Sequence, residues 1–140
     1  MGKAIRGYII ERISAGGLLK ISFLAYALRW LLLSLISTPL WALLTQLLHG
    51  LSFGAFLVGG VTYINKLAPE GLNTTAQSIF NSVSFGLASI AGSLLGGYYY
   101  DNWGMPAMFQ FFSLIAIIGL FVFHLSDKYR EKATLAQIST

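Results

Sequence analysis

Two side chains in this sequence put a charge, or a group able to carry one, inside long apolar stretches: Arg29 and His49. Arg29 stands ten residues before Pro39 and His49 ten residues after it. If both flanks are helical, a hairpin turning at Pro39 brings the two side chains to similar depth, about 15 Å from the turn at ~1.5 Å per residue. A cation at that depth recognises a polar solute or takes part in proton coupling, and histidine, with an ordinary pKa near 6.5, suits proton relay. The structural alternatives are an arginine pinned to helix carbonyls and a neutral histidine bonded across helices. Two facing cations call for a carboxylate between them. Glu11, Glu70 and Asp101 fall at the edges of the apolar stretches, and Asp127 and Glu131 in the tail. The counter-ion is therefore expected from outside these residues.

The elements that position the pair are set by where charge is missing. Residues 30–65, 71–100 and 102–126 carry no Asp, Glu, Lys or Arg. A hydrocarbon core of ~30 Å needs about 20 apolar residues of helix, so each gap holds a membrane span. A further span fits around Arg29. The sequence predicts an all-α integral membrane protein with four transmembrane helices at about 18–37, 40–65, 73–100 and 104–125. Turns are expected at Thr38-Pro39 and at Asp101-Asn102-Trp103-Gly104, and Asn73 is expected as an N-cap after the polar loop 66–71. Residues 1–140 read as a single membrane domain, with a basic lead-in at 1–17, a polar tail at 126–140 and no cleaved leader.

Charged residues make up 10% of the chain, against about 25% in a soluble domain. The net charge of +4 sits at the chain ends and beside the spans, which reads as topology and not as a nucleic-acid surface. With four spans, one side collects Lys3, Arg6, Arg12, Lys20, Lys66, Lys128, Arg130 and Lys132, and the other collects none. Both termini are expected to be cytoplasmic, in a multi-pass protein of the cell membrane. The chain has no cysteine, no metal-spaced His/Glu cluster and no phosphate-cradling glycine loop, so neither an enzyme nor a cofactor is expected.

Polar stripes extend the pair. Ser22, Tyr26, Arg29 and Ser37 share one face of the first helix, Thr45, His49, Ser52, Gly59 and Tyr63 one face of the second, and Gln77, Asn81 and Ser84 one face of the third. The expected substrate or proton pathway is Arg29, His49, Ser52, Tyr26 and Thr45. Small residues four apart, Gly50 with Gly54 and Gly92 with Gly96, are expected to pack helices closely. That makes the second and third helices interior and leaves the apolar fourth facing lipid.

Several segments together resemble a known family. They are Leu48-His49-Gly50-Leu51-Ser52-Phe53-Gly54, the loop Leu67-Ala68-Pro69-Glu70 with Ala76-Gln77, and Gly96-Gly97-Tyr98-Tyr99-Tyr100-Asp101-Asn102-Trp103-Gly104. The chain resembles the C-terminal part of major facilitator superfamily transporters, nearest the lactose-permease-like and the phenylpropionate or nucleoside–proton symporter branches. The resemblance implies helices nine to twelve of a twelve-helix fold. It also implies that Arg29 and His49 belong to a proton-coupling and solute-recognition network. The family's glutamate three residues after the histidine is Ser52 here, a departure that bears on proton coupling. The implied partners are the lipid bilayer, a small-molecule substrate, protons, and missing N-terminal helices or a partner chain supplying a carboxylate. The alternative readings are a non-transporting four-helix protein (partner, regulator or gene relic) and a small homo-oligomeric exporter.

Overall fold

A computed structural model describes residues 14–36 and 38–138, with backbone alone at 39, 44 and 131–138. Lys3, Arg6, Glu11, Arg12 and Ser37 lie outside the described residues. Helix α1 (Ala15–Leu35) starts three residues earlier than expected because the Ser14 hydroxyl accepts the Gly17 N–H at 3.0 Å, a side-chain N-cap. Extended backbone at Ile36 and Thr38 leads into α2 (Pro39–Leu67), with proline at the first helical position, where its missing N–H costs nothing. The next connection closes through Leu72 N–H to Pro69 O at 3.0 Å, with Gly71 at φ +82° in the position where this turn requires positive φ. Asn73 is not the cap expected. Leu72 occupies that position, and α3 (Asn73–Asn81) begins without a side-chain cap.

From α3 the chain passes through a single π-helical segment, Ser82–Leu87, into α4 (Ala88–Ile138). The π segment is where Phe85 meets Phe53 and Phe56 of α2, at ring separations of 6.1 and 6.5 Å. Among the described residues there are three long apolar helical elements, Ala15–Leu35, Leu40–Leu67 and Asn73–Arg130, and the third consists of two helical arms that meet at Gly104. A straight helix over the last range would be about 87 Å long, nearly three bilayer cores. It is not straight. Gly104, at φ 81° and ψ 176°, leaves helical geometry in a region that only glycine occupies readily, and Pro106 follows it. A Cβ on Gly96 would lie 3.3 Å from the Phe112 ring, and Tyr99 stacks on Phe111 at 3.9 Å. Residues 96 and 112 would stand about 24 Å apart in an unbroken helix, so the chain doubles back at Gly104. Residues 101–103 are helical, so of the expected turn Asp101-Asn102-Trp103-Gly104 only Gly104 breaks the helix, and the two arms separate there.

Packing centres on α1, which touches both α2 and the second arm of α4. The closest crossing is at Gly59. A Cβ there would meet Leu18 Cβ at 3.0 Å, the Leu19 nitrogen at 3.2 Å and the Ala15 carbonyl at 3.3 Å. Gly60 makes room for the Phe80 ring in the same way. The expected packing glycines Gly50, Gly54 and Gly92 have nothing within 4 Å, whereas Gly96 does pack, against Phe112 and Met108. The reason is angular. Gly50 precedes Gly59 by nine residues, or about 2.5 helical turns, and so lies on the opposite face of α2. The lipid-facing assignment of the last apolar stretch is also corrected. Ser113 and Ala116 are buried, Gly119 faces Phe23 at 3.1 Å, and the Ser113 hydroxyl donates to Ala27 O at 2.8 Å. Most of residues 78–103 is exposed instead.

Placing valine at Gly59 should force α1 and α2 apart and lower stability by about 1–3 kcal/mol, as overpacking does. Gly54→Val, of equal helix propensity, should stay within about 0.5 kcal/mol of the wild type. Unfolding by SDS titration in mixed micelles checks both.

Candidate functional site

The two faces of α1 carry different chemistry. Toward the second arm of α4 it presents Phe23, Ala27 and Trp30, which meet Phe123, Ser113 and Phe112. Toward α2 it presents Tyr26. The Tyr26 ring stands edge-on to His49 at 6.4 Å and to Phe56 at 6.5 Å, and lies 5.6 Å from Trp30. Arg29 follows Tyr26 by one turn along α1. His49 is thus level with Tyr26, about one turn from the depth that counting from Pro39 assigns to Arg29.

The hydroxyls of the polar stripes are largely spent inside their own helices. Ser22 donates to Leu19 O at 2.7 Å, Thr45 to Ala42 O at 2.7 Å and Ser52 to His49 O at 3.1 Å. This back-bonding satisfies a buried hydroxyl where no water is at hand. Tyr26, His49 and Ser52 come together, with Arg29 one turn from Tyr26 on α1. Thr45 is buried with its hydrogen bond closed within α2, one turn of helix from His49. Gln77 donates to Asn65 Oδ1 at 2.7 Å across the turn, a helix-to-helix clasp.

Two nitrogens of the cluster differ from these hydroxyls. Arg29 Nε and His49 Nδ1 are buried and have no hydrogen-bond partner among the described residues. An unsatisfied buried donor or acceptor costs about 1–3 kcal/mol, and more for a charged group. The guanidinium is a donor only, and the imidazole nitrogen donates or accepts according to its tautomer. The arrangement is suited to oxygen ligands, either hydroxyls or a carboxylate. No group of three His, Cys, Asp or Glu residues able to hold a metal occurs among the described residues. A groove of about 540 Å³ opens beside Trp30, but Gly92, Leu95, Met108 and Phe112 make its lining apolar.

Sequence reasoning missed a second polar cluster. Lys20 Nζ lies 2.6 Å from Asp127 Oδ2, the Tyr63 hydroxyl donates to Asp127 Oδ1 at 3.4 Å, and Gly16 packs against the same carboxylate. Asp127 therefore joins α1, α2 and α4 at one end of the bundle. The signal was present as opposite charges near the start of α1 and the end of the last apolar run. Reading Lys20 as a topology marker and Asp127 as tail obscured it.

With this geometry in place, comparison with known proteins becomes informative. The MFS_1 like family matches residues 4–111, and the chain belongs to that family of the major facilitator superfamily. It is 32% identical over 126 residues to the maltose permease of Geobacillus stearothermophilus, covering 89% of this chain and 32% of that protein. It is also 26% identical over 94 residues to the uncharacterized transporter YwbF of Bacillus subtilis (strain 168), covering 66% of this chain and 24% of that protein. The chain spans about a third or less of the length of these curated relatives. No solved structure matches it significantly. The family and the long apolar helices make this a multi-pass membrane chain.

The Lys20–Asp127 pair is part-buried, between the exposed and the buried regimes of ion pairs. Asp127→Asn should destabilise the chain by roughly 1–2 kcal/mol, and Lys20→Met together with Asp127→Leu should recover most of that loss. A double-mutant cycle on unfolding in micelles measures the coupling.

Proposed function

We propose that these residues are the C-terminal portion of a secondary active transporter for a small hydrophilic solute, coupled to protons, of the lactose-permease-like kind. Arg29 and His49 are its recognition and coupling residues, and Tyr26 and Ser52 complete their surroundings. The observation that carries this reading is the pair of buried, unpartnered nitrogens, Arg29 Nε and His49 Nδ1, in a chain of a transporter family. A polar group buried in a membrane bundle without a partner is costly, and such residues mark substrate and ion paths. Because one relative is named a maltose permease, a sugar is the first substrate to test. Asp127 is committed to Lys20, so the carboxylate that completes the site comes from other helices of the transporter or from a partner chain. The role is transport across the cell membrane and not enzymatic catalysis. The distribution of Lys and Arg supports a cytoplasmic position for both termini.

Family logic puts the substrate between two halves that rock against each other, so residues 1–140 alone should give no uptake in proteoliposomes. In the transporter containing these residues, Arg29→Ala should lower proton-driven uptake of radiolabelled maltose by roughly thirtyfold or more. That is the loss from deleting a charged partner worth about 2 kcal/mol. Wild-type uptake in that variant removes Arg29 from the mechanism. Uptake by the 140-residue chain alone favours the homo-oligomeric exporter.

A further inference from the structure

We propose that the outward face of the second arm of α4 holds one anionic phospholipid, its phosphate at Lys128, its ester oxygens at His124 and one acyl chain along Phe121 and Ile117. This site is separate from the Arg29 and His49 pair and independent of what the chain transports. Ionisable residues inside membrane spans almost always face the interior of the bundle. His124 lies within the charge-free run 102–126, yet its side chain is exposed. At about 100° per residue, positions 117, 121, 124 and 128 fall within about 60° of one another. Gly119 and Phe123, which meet Phe23 of α1, centre about 150° away. His124 therefore looks outward, into lipid.

The apolar part of this face is open. Ile117 and Phe121 are 51% and 62% exposed, and with Leu120 and His124 they line a groove of about 320 Å³ built from this arm alone. From Ile117 to Lys128 the helix rises about 16 Å, close to half of the ~30 Å hydrocarbon core. The groove thus covers the depth of one leaflet and ends at the level of the headgroups. There the polar groups are donors. Lys128 offers an ammonium with three N–H groups, and the imidazole of His124 carries at least one. Neither has a hydrogen bond or ion pair among the described residues. The adjacent acid does not neutralise them, because Asp127 points about 100° away, to Lys20 and the Tyr63 hydroxyl. A phosphate diester supplies the charge and acceptor oxygens that Lys128 lacks. His124, about 6 Å deeper, stands at the level of the glycerol esters, and the chain below them covers Phe121 and Ile117.

The test places the 140-residue chain in nanodiscs of equal phosphatidylglycerol and phosphatidylcholine and counts retained lipid by native mass spectrometry after transfer to detergent. The wild type should keep one phosphatidylglycerol in preference to phosphatidylcholine. Lys128→Gln should lower that preference about fivefold, the share of one lysine near a membrane surface. His124→Phe should lower retention of both lipids about fivefold, as the loss of one hydrogen bond does. Phe121→Ala should lower both without changing their ratio. Lys66→Gln removes an exposed lysine of α2 that does not line the groove, and should change neither retention nor preference. An equal fall in preference in Lys66→Gln and Lys128→Gln overturns the proposal, because diffuse attraction of a basic end to an anionic surface produces it. A preference unmoved by Lys128→Gln also overturns it. Glycerol 3-phosphate, the headgroup chemistry without a chain, should displace no lipid at millimolar concentration. Displacement assigns the site to a free phosphate and overturns the lipid reading.

Discussion

A chain crossing ~30 Å of hydrocarbon meets no water with which to satisfy its backbone, and every N–H and C=O has to be paired within the protein. This constraint shapes more of the molecule than any single contact. It makes each described element helical, confines departures from helix to a few positions such as Ile36, Thr38, the Gly71 turn and Gly104, and sends the buried hydroxyls of Ser22, Thr45 and Ser52 back to carbonyls of their own helices. Once the backbone is closed in this way, helices associate through shape and a few polar contacts. The decisive shape is at Gly59, where the absent side chain lets α2 lie against the backbone of α1. That approach brings the Tyr26 face of α1 against the His49 and Ser52 face of α2.

The polar groups then separate by how they are satisfied. The hydroxyls close locally. Lys20 and Asp127 close across the bundle, assisted by Tyr63. Arg29 Nε and His49 Nδ1 do not close among the described residues. The first two groups hold the bundle together at little cost. The third is left unsatisfied by the described residues, at about 1–3 kcal/mol for each nitrogen.

How much of this was legible depends on which quantity periodicity encodes. Charge-free runs gave the apolar stretches and their approximate ends, and spacing from Pro39 put His49 near the middle of α1, where the structure sets it beside Tyr26. Glycine spacing was less reliable. The motif Gly50-x-x-x-Gly54 satisfies the small-residue rule yet faces open space, while Gly59, nine residues on, makes the closest crossing. A motif states that backbones can approach, but not which face a neighbour occupies. The same gap explains why the last apolar stretch looked lipid-facing although Ser113, Ala116 and Gly119 pack on α1.

What the sequence determined by itself is the solvent. Long runs without charge are stable in lipid, and their composition and order also carry the family, because transfer free energies and local motifs are properties of the residues alone. Tertiary structure decided the rest. It joined the last two expected spans into one long element of two arms, since Gly104, with φ near 81°, turns the chain while the helix on either side stays continuous. It gave α1 its central place and Asp127 its partners, and it left Arg29 Nε and His49 Nδ1 unpaired among the described residues. Those outcomes depend on distances between residues far apart in the chain, which helix rotation and crossing geometry fix and residue order does not.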